Sequence, residues 1–341
     1  MFKSRTPQFR NSQKQIIDGS IATLETVRLG EVDQTIMIRG MDVSQPILLF
    51  LHGGPGWAQI GFARHFQAEL EKHFIVVNWD QRGSGKSRSK EISASSMTVE
   101  QMVKDTKELI EYLLKRFGKK KLFLAGHSWG SVIGSLVASK YPELLHAYIA
   151  IGQFTDVERA HSITYRHLLI YTVQARKRRA QKELEEIGYP PYKDWKRLSV
   201  HMKWLMRFGG FIRSGGFFRR FLKGLVSPEY TLMDWLKYLK GMHFSRDCLC
   251  PEVWDFNIFH QVPELKVPAY FCVGRYDFLS QHELQQQYVE RLNAPHKELV
   301  WFEKSAHCPH FEEPAAFLIV CLRAKEASII PKRQSLLQLK A

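Results

Sequence analysis

The chain has 341 residues, 45% of them hydrophobic and 24% charged, with a formal net charge of +15. That composition excludes intrinsic disorder and supplies a core for one sizeable domain, or one domain carrying an insertion. No run is long and apolar enough to span a bilayer, and the cysteines at 248, 250, 272, 308 and 321 form neither a disulfide framework nor paired zinc-finger spacing.

The N-terminal stretch is basic and polar and has no apolar signal segment. With thiols expected to be reduced, the expected compartment is the cytoplasm. Residues 21–29 (IATLETVRL) and 35–39 (TIMIR) read as two short strands pairing as an antiparallel hairpin at a sheet edge. Ile47 to Leu51 is a continuous apolar run, as a doubly covered central strand requires. It ends in His52-Gly53-Gly54-Pro55-Gly56, where a backbone without side chains can approach a ligand closely.

Phe74 to Trp79 is the next buried strand, leading into Asp80-Gln81-Arg82-Gly83-Ser84-Gly85-Lys86-Ser87. The last three residues resemble the end of a phosphate-binding loop. The position five residues before Gly85 is Asp80 rather than Gly, however, and no helix begins until Thr98, so nucleotide binding is not expected. Thr98 and Gln101 have the spacing of a capping box for a helix to about Phe117, stopped by Gly118.

Leu122 to Gly134 (LFLAGHSWGSVIG) is the most informative stretch. An apolar strand runs into Gly126-His127-Ser128-Trp129-Gly130 and then into a helix of small residues. A nucleophile at such a reversal needs glycine on both sides, because side chains there would collide with strand or helix. The turn lifts the Ser128 hydroxyl clear of the sheet, and the helix points its positive end at the site. Ala147 to Ile151 reads as another buried strand.

From about Thr155 to Phe256 the alternation of strand and helix stops, and the segment is helical and aromatic. It resumes with strands at 269–273 and 298–302 and helices at about 281–292 and 314–325; the basic tail beyond Ser328 is expected to fray. The expected architecture is α/β: a mostly parallel sheet with helices on both faces and an inserted helical cap. The expected division is a core over 1–154, a cap over 155–256 and the second part of the core over 257–341.

A serine nucleophile needs a base and an orienter, which follow it in the order Ser, acid, His on this architecture. Asp277 ends the turn Gly274-Arg275-Tyr276-Asp277 after one strand, and His307 follows the next. Both are therefore expected at the carboxyl edge of the sheet beside Ser128. The chemistry expected is acyl transfer, with the oxyanion held by the N–H of Trp129 and that of Gly54, or of Gly53 if the turn is tighter. Asp156 is a rival orienter. His52 and His127 are expected to be hydrogen-bonded scaffold, and the trio His307, Cys308 and His310 lacks a carboxylate to complete a metal site.

Taken together, the four segments 52–56, 80–87, 126–131 and 274–277 with His307 resemble the α/β-hydrolase fold, and within it the proline iminopeptidase family. The resemblance covers about 21–155 and 265–325. It implies Ser128 as nucleophile, Asp277 as orienter, His307 as base, Trp129 as oxyanion donor, and hydrolysis of a small-molecule or short-peptide substrate with no cofactor. In that family, cap carboxylates hold the free amine of the substrate.

Here sixteen Lys or Arg face four Asp or Glu between residues 159 and 223, so +12 of the +15 lies there. Glu183, Glu185, Glu186 and Asp194 read as an exposed helix face, leaving Glu229 and Asp234 as amine-binding candidates. No nucleic-acid reading motif accompanies the charge. Trp195 to Leu225 interleaves aromatic and basic residues, which suits either a solvated cap or weak contact with an anionic membrane surface. A proline iminopeptidase-like peptidase is the leading expectation. A carboxylesterase or lipase-like hydrolase of an acidic or lipid-like ester comes next, and a non-catalytic binding protein last.

Overall fold

The computed structural model describes residues 4–213 and 215–329. Eight strands form one sheet: β1 Ile21–Leu29, β2 Val32–Gly40, β3 Ile47–Leu51, β4 Ile75–Asp80, β5 Leu122–His127, β6 Leu145–Ile151, β7 Ala269–Gly274 and β8 Lys297–Phe302. Their order is β1-β2-β4-β3-β5-β6-β7-β8. β1 pairs antiparallel with β2, and β2 with β4, while every pairing from β4 through β8 is parallel. The expected edge hairpin is present.

Central strands bury both faces. Along β3, Ile47, Leu49 and Leu51 join one core cluster while Leu48 and Phe50 join another, as the two-residue period of a strand dictates. The first cluster is covered by α2 (Val99–Phe117) and α3 (Trp129–Lys140); the second receives Phe317, Val320 and Cys321 of a C-terminal helix. α1 (Ile60–Gln67), which the sequence did not announce, packs Phe62 and Phe66 against Phe311.

Thr98 caps α2 by accepting from the Gln101 N–H, but the reciprocal half of the box is not made. The Gln101 amide donates instead to Asp105 at 2.7 Å, a buried carboxylate already holding Arg82 through two bonds. A buried charge needs more donors than one guanidinium supplies, and that need outcompetes a local cap.

Between β6 and β7 run the helices α4 (Val157–Gln174), α5 (Arg178–Ile187), α6 (Trp195–Arg207), α7 (Gly215–Leu225), α8 (Leu232–Trp254) and α9 (Ile258–Gln261). After β7 come α10 (His282–Arg291), α11 (Pro309–Glu312) and α12 (Pro314–Ile329), four residues longer than the apolar pattern implied. Residues 330–341, most of the expected basic tail, lie outside the described residues. The acidic run on α5 is not wholly a solvated face. Glu183 accepts from Arg179, from Lys203 and from the Trp204 indole, tying α5 to α6, while Asp194 caps α6.

Residues 80–87 fasten this helical insertion to the sheet. Lys86 pairs with Asp234 at the start of α8 at 2.7 Å, Ser84 meets Ser245, and the Asp80 carboxylate accepts from the Tyr230 hydroxyl and the Lys86 N–H. The segment that imitates a phosphate loop is a short 3-10 turn serving as a strut.

Candidate active site

β3 and β5 lie side by side and their flanking order reverses there, so the loops after them open a crevice at the carboxyl edge of the sheet. Ser128 occupies the turn after β5 with φ 55 and ψ −118, a region a non-glycine residue enters only under tertiary constraint. The glycines on either side are required sterically. A Cβ on Gly126 would lie 2.4 Å from the Gly130 carbonyl oxygen, and one on Gly130 would lie 2.1 Å from that of Leu51. Trp129 is the first residue of α3, and its indole N–H donates to Gln81 at 2.9 Å. Gln81 in turn donates to the His52 carbonyl at 3.0 Å, so one amide side chain bridges the Trp129 indole and the His52–Gly53 peptide.

Asp277 and His307, thirty residues apart, meet beyond β7 and β8. His307 Nδ1 lies 3.0 Å from Asp277 Oδ2, and both side chains are fully buried. Asp277 also accepts from the N–H groups of Leu279 and Ser280 and from Gln285. Burial pushes its pKa up, but the charge and hydrogen bond of His307 and these donors outweigh burial and leave it below the ordinary carboxylate range.

An ionised Asp277 fixes the imidazole with Nδ1–H toward it and Nε2 outward. That Nε2 is buried and has no hydrogen-bond partner in the protein. Ser128, 5% exposed, makes no side-chain hydrogen bond to it.

The loop carrying His307 is held from several sides. Glu312 accepts from the Ala306 N–H and Glu313 from the Lys304 N–H. The His307 N–H donates to the Phe211 carbonyl of the insertion at 3.0 Å. Asp156, the rival orienter, is occupied elsewhere: it caps α4 and accepts from Asn257. His52 and His127 are buried among polar partners, and burial takes their pKa values down to about 4 and about 3, so both are neutral scaffold. Among the described residues no three His, Cys, Asp or Glu side chains gather into a metal-holding group.

A cavity of about 420 Å³ opens over this point, with Ser128, Gly54 and Phe154 on its sheet side and Trp195, Met202 and Met242 among its insertion walls. Gly54 borders it, whereas Gly53 sits behind, where a Cβ would lie 3.0 Å from His127. Neither amine-binding candidate borders it. Glu229 is paired with Arg64 at 2.7 Å and Asp234 with Lys86.

Residues 48–319 match the model of the alpha/beta hydrolase family. The chain belongs to that family. Among its relatives, a probable aminopeptidase of Bacillus subtilis, YbaC, is 41% identical over 305 residues, which cover 87% of this chain and 94% of the relative. A proline iminopeptidase of Saccharolobus solfataricus is 25% identical over 281 residues, covering 80% and 82%. The crystal structure of a proline iminopeptidase from Mycobacterium smegmatis superposes with a TM-score of 0.64 at 19% identity, covering 90% of this chain and 99% of that one. Proline iminopeptidase-like α/β-hydrolase architecture is thereby established, and the relatives support hydrolase activity.

Four groups bordering the cavity were not singled out from sequence: Thr155, His161, Arg246 and Trp254. Only the four-residue spacing of Met242, Arg246, Cys250 and Trp254 hinted at a shared helix face.

Proposed function

We propose that this hydrolase works through Ser128 and an acyl-enzyme, on an amide or ester of a small substrate. His307 Nε2 takes the Ser128 proton as the oxygen attacks the carbonyl carbon. The oxyanion then meets the N–H groups of Trp129 and Gly54, with Gly53 less well placed. Asp277 holds the imidazole and stabilises its cation. Collapse expels the amine or alcohol with the proton from His307, and water releases the acid by the reverse sequence. The observation supporting this most directly is the buried Asp277–His307 pair, whose outer nitrogen is unpartnered beside a serine elbow. A buried imidazole nitrogen left unpaired costs free energy, which a proton-sharing partner recovers. A fluorophosphonate probe should label the wild type and not Ser128→Ala; equal labelling of both would remove Ser128 from the mechanism.

The relatives named as aminopeptidases favour release of an N-terminal residue. The ester reading has its own support, because no Asp or Glu borders the cavity among the described residues. Turnover of Pro-, Ala- and Leu-arylamides against short- and long-chain aryl esters separates the two, and ester-only activity would overturn the peptidase. The five unpaired cysteines support a reducing, cytoplasmic setting. Exposed Leu222, Val226, Leu232 and Leu236 near Lys223 and Lys237 support weak contact with an anionic membrane surface. Co-sedimentation with anionic but not neutral liposomes tests it, and equal binding to both would remove it.

A further inference from the structure

We infer that the cavity selects substrates with an apolar body ending in a carboxylate and turns away those bearing a free cationic amine. This rests on the serine-hydrolase reading and deepens its ester side against the aminopeptidase one. Met242, Arg246, Cys250 and Trp254 of α8 recur every fourth residue and so share one stripe, which borders the cavity. Arg246 carries the one permanent charge among the described lining residues. Its guanidinium lies 4.5 Å over the Trp195 ring. Nε and Nη2 both reach a single oxygen of Asp247, a side chain 62% exposed. Nη1 stays outside that pair. An ion pair so exposed contributes little and yields readily to a better-placed carboxylate.

Two further groups seek a partner in the same cavity. The Trp254 indole N–H and the Thr155 hydroxyl are buried and make no hydrogen bond. An indole can only donate, so Trp254 calls for an acceptor on the substrate, such as a second carbonyl oxygen. About 12 Å of helix separates Arg246 from Trp254, so the two act on different parts of one molecule.

The same inventory penalises an amine. His161 borders the cavity as a neutral ring, burial having taken its pKa down to about 4. Asp247, the acid beside Arg246, is already that guanidinium's partner, and Glu229 and Asp234 are committed to Arg64 and Lys86. An ammonium group there would be desolvated beside a like charge, with no acid among the described lining residues to pair it.

The test compares 4-nitrophenyl esters of six, eight and ten carbons whose far end is carboxylate, methyl or ammonium. At the best length the carboxylate ester should exceed the ammonium ester in kcat/KM by roughly ten- to hundredfold, the worth of one charge-assisted hydrogen bond. Arg246→Gln should reduce the carboxylate-to-methyl ratio at least tenfold. An ammonium ester that matches the carboxylate ester overturns the inference, as does a ratio unchanged in Arg246→Gln.

Calorimetric binding of octanoate and octylammonium to Ser128→Ala reads the same preference without chemistry. Tighter octanoate binding, lost in the double variant with Arg246→Gln, supports the inference; equal binding overturns it. If no ester turns over and no probe labels Ser128, the catalytic reading fails while this binding comparison still decides the selectivity.

Discussion

Replacing Gly274 by alanine tests whether the meeting of Asp277 and His307 governs activity. Gly274 ends β7, and its carbonyl accepts the N–H of Asp277. A Cβ there would stand 1.8 Å from the Ala306 carbonyl oxygen and 2.7 Å from that of Ser305, both of them backbone. Since real Cβ atoms essentially never approach within 3.0 Å, the segment just before His307 must retreat by about 1.2 Å.

Overpacking of this kind costs about 1–3 kcal/mol of stability, and a misplacement near 1 Å costs about 10² in rate. We expect Gly274→Ala to fold, to melt lower, and to lose about a hundredfold in kcat/KM on a 4-nitrophenyl ester and in fluorophosphonate labelling, both measured well below its own melting temperature. Gly118→Ala is the control. Gly118 has φ +60 and open space around it, so the alanine costs about 1–2 kcal/mol of backbone strain. It precedes β5, at the sheet edge opposite the site, so activity should not change. A Gly274→Ala enzyme within threefold of wild type would refute the reasoning.

Two further outcomes follow from buried charges. Burial raises the Asp80 carboxyl to about 6, against the opposing hydrogen bonds of Tyr230 and Lys86. A carboxyl whose folded pKa is raised favours folding below its unfolded pKa near 3.8 and loses that contribution as pH climbs through about 6. Relative to Asp80→Asn, the wild type should therefore lose on the order of 3 kcal/mol between those limits, read from denaturant midpoints. A constant difference from pH 4 to 7 would contradict it.

Glu229→Gln should cost about 2–4 kcal/mol, because Arg64 loses its buried counter-charge. It should leave the arylamide-to-ester ratio unchanged. Selective loss of arylamide turnover would make Glu229 the amine anchor after all.

The sequence by itself determined the sheet and the elbow. Those signals are local: unbroken apolar runs require burial on both faces, and paired glycines around Ser128 require a turn that tolerates no Cβ. Turn residues after successive strands carried Asp277 and His307 to one edge, because parallel strands all end on the same side. Asp277 and Asp156 both follow strands, however, and the tertiary structure places the favoured one against an imidazole and its rival at a helix cap.

Packing likewise decided that Gln101 serves Asp105 rather than its own helix start, and that Lys86 holds Asp234 rather than a phosphate. It also turned one stripe of α8 toward the cavity, leaving it lined with a guanidinium and no described carboxylate. Lys86 and Asp234 stand 148 positions apart in the chain. A polar side chain takes whichever partner the folded chain brings within about 3 Å, and nothing in the spacing of residues along the chain records that choice.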